Sequence, residues 1–385
     1  MPKIDNSDIT ALDFDRLLWK YESSVPGPVL VIFAGIHGNE PAGIRAVSKI
    51  ADSIEENKQE LTGSVYAITG NIQALNLGIR YVDFDLNRLW ESFHPDKKEV
   101  KLNHKKFGAE REEIIEIEQA VNSIIRKHEE RDVPIIFTDI HTTSSNSCSF
   151  ILFNDTLGNR QLAGKFPSPQ ILGVEEYIKG TLLSYINNLG HAAIGFEAGA
   201  HTAKESVIRS EAFLWLLLHN CNFLKLQQDE CAYHENKLRS LPEISGNYFE
   251  IIYHHYVENP EIFEMKHGFK NFDPVRKGEL LAIEDGEKVT ASMNGRIFMP
   301  LYQQSGNDGF FIIREISPFW LTVSAYLRKS FIHKNLKYLP GVTETGKNSL
   351  KIDLRVARFL VRNIFHLLGY RIIRKDEHTL VCFRR

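Results

Sequence analysis

A chain of 385 residues with a formal net charge of −3 is long enough for two or three domains, each with a full core. Near-neutral charge and the lack of any basic tract interleaved with aromatics argue against nucleic acid as a partner. The longest apolar run, Ala212 to Leu218, falls far short of the roughly 20 residues that span a bilayer, so no membrane role is expected. The start, Met1-Pro-Lys-Ile-Asp-Asn-Ser, has no charged-then-apolar leader pattern. Cys148, Cys221, Cys231 and Cys382 are scattered without framework or metal-pair spacing, which reads as free thiols in a reducing, cytoplasmic setting.

Residues 1–27 are polar, with a short amphipathic patch from Leu12 to Trp19. Val29 to Phe33 is apolar and mostly β-branched, the pattern of a buried strand. The strand breaks at Gly35 and Gly38 and restarts as a helix, with Pro41 in its first turn, where a missing N–H costs nothing. His37 and Glu40 sit on that turn, spaced so that an imidazole and a carboxylate converge on one ion. Hydrolytic zinc takes three protein ligands, often two His and one Glu, and keeps a fourth place for water. The competing reading is that His37 and Glu40 merely cap a helix; the flanking glycines, which let the backbone come close to a ligand, favour metal.

The helix continues from Ile44 to Ile54, and Gly63 to Thr69 reads as a second strand ending at the Gly70-Asn71 turn. From Asn71 to Trp90, Arg80, Asp83, Asp85, Asn87 and Arg88 are interleaved with large apolar groups. Guanidinium groups are the natural clamp for a carboxylate, and Asp83 or Asp85 could orient an Arg that also holds substrate; a purely structural ion-pair loop is the alternative. Pro95 to Lys106 is a polar, Lys-rich loop, and Glu110 to Arg131 is a helix with one apolar stripe through Ile114, Ile117, Val121 and Ile124.

Pro134 to Thr143 is a third strand, ending in Asp139-Ile-His141 ahead of a Ser/Thr/Asn-rich loop. A strand terminus in an open α/β sheet is where a ligand belongs. His141 is therefore read as a metal ligand rather than a structural histidine, and Asp139, on the same strand face, as its supporting carboxylate. Ser149 to Phe153 is another strand, and residues 154–175 are loop-rich and partly helical. Ala192 to His201 is a strand whose apolar run ends at Glu197, a carboxylate costly to bury without a task. An apolar helix from Ala203 to Leu218 follows. Strands alternating with long helices give an α/β fold with a largely parallel or mixed sheet.

After about residue 225 the pattern changes. Tyr248 to Val257, Glu279 to Ala282, Arg296 to Phe298 and Gly309 to Ile313 read as short strands punctuated by Gly268, Gly278, Gly286, Gly295 and Gly306, a small all-β module. The remainder is mixed, with an amphipathic helix near Leu354 to Leu368 and a strand near Leu380 to Phe383. The expected division is a hydrolase domain over 1–240, a β module over 241–318 and an α+β extension over 319–385.

His37-Gly-Asn-Glu40, Arg80-Tyr-Val-Asp-Phe-Asp-Leu-Asn87-Arg88, Asp139-Ile-His141 and Phe196-Glu197 together resemble, in order, the succinylglutamate desuccinylase/aspartoacylase family, a branch of the zinc carboxypeptidase superfamily. The resemblance covers roughly residues 28–220 and, more loosely, the β module. It implies a zinc-carboxypeptidase-like mixed sheet flanked by helices. It also implies one zinc per chain, bound by His37, Glu40 and His141, and a zinc-activated water that attacks the amide of an N-acyl amino acid. Arg80 would polarise the scissile carbonyl, Asn87 and Arg88 would hold the α-carboxylate, and Glu197 would act as general base and then acid.

One departure bears on the substrate. Aspartoacylases carry an Arg ahead of the catalytic Glu, with a Tyr one helical turn earlier, that seats a side-chain carboxylate; those places fall near Asn187 and Leu183. The Arg is absent, which argues against an acetylaspartate pocket, and Tyr185 is the candidate substitute. Ala291 to Pro300 resembles a barrel-sandwich hairpin without a Lys at its turn, so no attached cofactor is expected. The expected partner is a small-molecule N-acyl amino acid, with homo-oligomerisation left open. Two other readings compete: a metallocarboxypeptidase trimming a C-terminal residue, and a binding module that kept the fold without the chemistry.

Overall fold

Val29–Ala34 is buried along its whole length in the computed structural model, which describes residues 14–92, 108–145, 147–239, 241–303, 306–346, 349–357 and 361–384. The reason is visible in the alternation. Val29, Val31 and Phe33 enter one hydrophobic cluster, and Leu30 and Ile32 enter another on the opposite face. Successive side chains of a strand point to opposite faces, so a strand apolar at every position needs cover on both. Helices Ala42–Glu56 and Lys204–Asn220 cover one side, and helix Glu110–His128 with Leu182, Leu183 and Ile186 covers the other.

The strands in chain order are β1 (Leu17–Glu22), β2 (Val29–Ala34), β3 (Ser64–Thr69), β4 (Ile135–Thr143), β5 (Phe150–Phe153), β6 (Gln170–Leu172), β7 (Ala192–Ala200), β8 (Tyr248–Tyr256) and β9 (Phe263–Met265). They continue as β10 (Pro274–Val275), β11 (Leu280–Glu284), β12 (Glu287–Thr290), β13 (Gly295–Phe298), β14 (Asp308–Ile316), β15 (Val342–Gly346), β16 (Ser349–Asp353), β17 (Tyr370–Arg374) and β18 (Thr379–Arg384). One 11-stranded sheet runs β1-β3-β2-β4-β7-β5-β6-β8-β14-β13-β10. Its centre, β3-β2-β4-β7, is parallel; β1 and β5 run antiparallel to their neighbours, so the sheet is mixed. The α/β expectation and the flanking helices are as the sequence predicts.

Three findings go beyond that expectation. Part of the amphipathic patch at Leu12 to Trp19 is the start of an edge strand, β1, paired with β3; residues 1–13 lie outside the described residues, as does the Lys-rich loop Pro95 to Lys106. The strands after residue 240 are hydrogen-bonded into the main sheet through β6 and β8. They supply four of its strands, while β9, β11 and β12 form a separate small sheet. Finally, β12 pairs with β11 and β13 pairs with β14, so Ala291 to Pro300 does not close as a hairpin on itself.

The last segment forms a four-stranded antiparallel sheet, β15-β16-β18-β17, with helices Pro318–Lys329 and Val361–Leu367. The helix expected over Leu354 to Leu368 is confined at its C-terminal end, because Leu354 to Ala357 form a turn closing on Asp353. The segment is tied to the rest by a buried ion pair: Arg328 Nη2 lies 2.5 Å from Asp155 Oδ2, and Arg160 Nε holds the other carboxylate oxygen at 2.5 Å.

Candidate active site

Three strands end together. β2, β4 and β7 are parallel and adjacent, with Phe33 opposite Asp139 and His141 opposite Glu197 in the ladder. In an open α/β sheet the carboxyl ends of such strands form the natural crevice, because the following turns diverge there. His37 and Glu40 lie just past the end of β2, His141 near the end of β4, and Glu197 near the end of β7. Gly38 makes the approach feasible: a Cβ there would collide with the backbone carbonyl of Ala74, in the helix Ile72–Leu77 that abuts the His37 turn.

The side chains converge on Glu40, which is 2% exposed. Its Oε1 lies 2.9 Å from His37 Nδ1 and its Oε2 lies 3.0 Å from His141 Nδ1; the backbone N–H of Thr142 donates to Oε2 at 2.8 Å. Ligand atoms of His37, Glu40 and His141 all lie within 4.8 Å of one another, the one such group of His, Cys, Asp and Glu among the described residues. Each imidazole is fixed from behind. His37 Nε2 is 3.1 Å from Asp85 Oδ1, and His141 Nε2 is 2.7 Å from Asp139 Oδ2. A histidine held by a carboxylate at its outer nitrogen presents the inner one in a set tautomer and orientation.

The electrostatics follow from burial and pairing. Burial alone would raise the carboxyl of Glu40, but the charges and hydrogen bonds of His37 and His141 outweigh it and hold that group well below the usual carboxylate range. Burial opposes the charge on His141, yet Asp139 and Glu40 together raise it well above an ordinary histidine. Asp85 is held low against its burial by Arg80, His37 and Arg88. Glu197 behaves oppositely. Burial pushes it up to about 8, with Glu40 and Asp139 adding to the shift while His141 and Arg80 resist it. Its Oε2 has no hydrogen-bond partner among the described residues, an orphan that a reacting molecule would satisfy.

Arg80 reaches the same centre. Its Nε and Nη2 donate to Asp85 Oδ2 at 3.2 and 2.9 Å, and its Nη1 lies 3.6 Å from Glu40 Oε1. Asn87 Nδ2 is 3.5 Å from His141 Nε2, and its Oδ1 accepts from the backbone N–H of Leu182 at 2.9 Å. Arg88 lies further out, where its Nη2 donates to Asp308 Oδ2 at 2.7 Å. Of the eight residues read from the sequence as metal-binding, catalytic or substrate-binding, seven thus lie in or beside one crevice. Tyr185 does not. It is 7% exposed, and its ring packs on Trp90 at 5.1 Å in the core beneath helix Leu182–Asn188. The reason is periodicity: Leu182, Leu183, Tyr185 and Ile186 form the inward face of that helix.

The crevice opens into a cleft of about 480 Å³ with Arg80, Arg88, Thr142, Lys179, His254 and Asp308 among its walls. A larger cavity of about 640 Å³ lies between Arg160, Trp320 and His366 and touches none of the His37 cluster, whereas the smaller cleft is lined by Arg80, Asp85 and Thr142, which contact that cluster. Several wall residues were not singled out in the sequence. His201, whose Nδ1 is 2.7 Å from Thr142 Oγ1, carried a weak signal, being a polar residue just past Glu197. Lys179, His254 and Asp308 carried none, since each belongs to a stretch unremarkable on its own.

Comparison with known proteins places these observations. Residues 26–213 match the succinylglutamate desuccinylase/aspartoacylase catalytic domain. A succinylglutamate desuccinylase of Ectopseudomonas mendocina is 24% identical over 309 residues, covering 75% of this chain and 86% of that protein. One from Burkholderia lata is 34% identical over 74 residues, which is 18% of this chain and 21% of that protein. The X-ray structure of a succinylglutamate desuccinylase from Vibrio parahaemolyticus has the same fold, with a TM-score of 0.56 at 16% identity over 81% of this chain and 94% of that one.

Proposed function

Because residues 26–213 place the chain in the succinylglutamate desuccinylase/aspartoacylase family, we propose that it is a zinc-dependent amidohydrolase that cleaves an N-acyl amino acid to a carboxylate and a free amino acid. The observation that carries this reading is the convergence of His37, Glu40 and His141 beside Glu197. The donor set fits zinc. Two imidazoles and one carboxylate are a common hydrolytic set with one position left open. The 2.9 and 3.0 Å edges of the cluster are slightly below the about 3.3 Å that bonds of 2.0–2.1 Å give around a tetrahedral ion. Both outer nitrogens have carboxylate partners, as metal-bound histidines generally do. When bound, zinc supplies Lewis-acid polarisation of the carbonyl and lowers the pKa of water to near 7.

The chain's own residues supply the rest. Glu197, poised by burial to hold or release a proton near neutrality, takes the proton of the attacking water and passes it to the leaving amine. Arg80, kept charged by Asp85 and Glu40, directs its guanidinium at the oxygen on which negative charge develops. Asn87 and Arg88 receive the α-carboxylate, with Arg88 positioned by Asn87 and Asp308. The strands after residue 240 bring His254, Tyr256 and Met299 to Leu301 into the wall of a cleft of about 480 Å³, which supports a small molecule over a peptide C-terminus.

The test is a panel of N-acyl amino acids and C-terminally free peptides offered to the zinc-loaded protein, with products read by mass spectrometry. Release of free amino acid from the N-acyl compounds, lost on chelation, is the expected result. Preferential trimming of peptides would move the chain to the carboxypeptidases, and zinc binding without turnover of any compound would leave a binding module.

A further inference from the structure

Arg88, the residue read as the α-carboxylate clamp, does not face the cleft alone. Asp308, the first residue of β14, meets it from a segment 220 positions later in the chain, with Asp308 Oδ2 2.7 Å from Arg88 Nη2. Asp308 Oδ1 lies 2.9 Å from His254 Nε2. That imidazole is itself fixed, stacked on Phe311 at 4.5 Å and edge-on to Tyr177. Burial would raise the carboxyl of Asp308, but His254 and Arg88 hold it below its ordinary value, so it stays ionised.

The pair is neither sealed nor saturated. Side-chain exposures are 33% for Arg88 and 22% for Asp308, and both line the cleft. A guanidinium carries five N–H donors and a carboxylate about four acceptor positions. Arg88 directs Nη1 to the Asn87 carbonyl and Nη2 to Asp308, which leaves donors for an incoming carboxylate. Asp308 likewise keeps acceptor capacity on its cleft side. A ligand that fills the cleft removes water from both groups. A monoanion satisfies Arg88 and leaves Asp308 desolvated without a new partner, and a dianion sets a like charge against it. A ligand carrying both a carboxylate and an ammonium complements the pair.

Building on the hydrolase reading above, we infer that Asp308 is a specificity-determining residue that selects substrates with a cationic side chain: Nα-acylated diamino acids with a free α-carboxylate and a free distal ammonium. Arg88 takes the carboxylate and Asp308 the ammonium. The two groups that recognise the amino acid thus come from different parts of the chain.

The experiment compares kcat/KM of the zinc-loaded full chain on the Nα-acetyl and Nα-succinyl derivatives of ornithine, its neutral isostere norleucine, and glutamate. The ornithine compounds should exceed the norleucine compounds by about tenfold or more, the range of one charge-assisted hydrogen bond. Asp308→Asn should collapse that ratio and shift the preference toward glutamate. Binding of free ornithine against free norleucine, measured by calorimetry on both proteins, should follow the same ratio independently of turnover. Wild-type preference for norleucine or glutamate, or an equal loss on all three in Asp308→Asn, overturns the inference, since the latter means Asp308 only positions Arg88. Hydrolysis of the norleucine compound without ornithine preference leaves the hydrolase reading standing. An ornithine preference in binding without hydrolysis of any compound would instead retain Asp308's role and remove the hydrolase.

Discussion

The inner end of the cleft and its outer wall are built differently. At the inner end, Glu40 is 2% exposed and Glu197 5%, and His37, Glu40, His141 and Glu197 stand at or just past the ends of three adjacent strands. At the outer wall, Arg88 and Asp308 are part-exposed and come from segments that only the continuation of the sheet brings together. On the proposed function, the difference separates two requirements. Bond cleavage needs low dielectric and fixed geometry, which sheet ends provide because their backbone is locked in a ladder. Recognition needs a surface that can differ from one protein to the next without disturbing that ladder, and a late segment folded against the rim provides it.

If the comparison holds, substitutions at the inner end cost far more than those at the wall. Glu197→Gln should keep the fold and the metal while turnover falls about 10²–10⁴-fold, the usual worth of a general acid–base group. Steady-state kinetics beside metal analysis would check it, and a near-normal rate would place the base elsewhere. Asp139→Asn, which removes the support behind His141, should weaken zinc binding about 10–100-fold, readable by competition with a chromophoric chelator. Arg88→Ala, at the wall, should lose about ten- to hundredfold in kcat/KM on substrates with a free α-carboxylate and almost nothing on their amides.

The same division governs what the sequence made legible. Polar residues at strand ends announce themselves, because an apolar run stopping at His37, His141 or Glu197 is a local pattern. The Asp85–Arg80 pair was legible for the same reason, both residues lying in one short charged stretch. Asp308 was not, since nothing near Gly306-Asn-Asp-Gly309 hints at an arginine 220 positions away. Tyr185 failed in the other direction. A tyrosine beside the place where aspartoacylases carry their Arg reads as its substitute, while the helical spacing of Leu182, Leu183 and Ile186 around it marks a core face. Edge strand β1 was hidden because half-exposed edge strands lack the continuous apolar run that betrays a central one.

Two smaller effects sharpen the contrast. Gly180 has φ +70°, and a Cβ there would collide with the backbone carbonyl of Arg88. Gly180→Ala should therefore shift Arg88 and raise KM several-fold while zinc content stays unchanged; weakened zinc binding would mean that wall and centre are mechanically coupled. The smallest effect concerns stability. Because burial raises Glu197 from an ordinary 4.5 to about 8, the native state binds that proton more tightly than the unfolded chain does. Its contribution is fully present below about pH 4.5 and is lost as pH rises toward about 8. In zinc-free protein, Glu197→Gln should therefore raise Tm by an amount that grows over this window, on the order of 1–3 °C at its upper end. Scanning calorimetry at both ends of the window reads the difference, and a lower Tm for the variant at the alkaline end would contradict the assignment.

The most direct measurement is zinc content and N-acyl amino-acid hydrolysis on the same samples of wild type and His141→Ala, before chelation, after it and after zinc is restored. One zinc per wild-type chain, activity that disappears and returns with the metal, and a variant that neither retains zinc nor recovers activity is the predicted result. Undiminished hydrolysis by metal-free wild type, or full zinc occupancy and activity in His141→Ala, would contradict it.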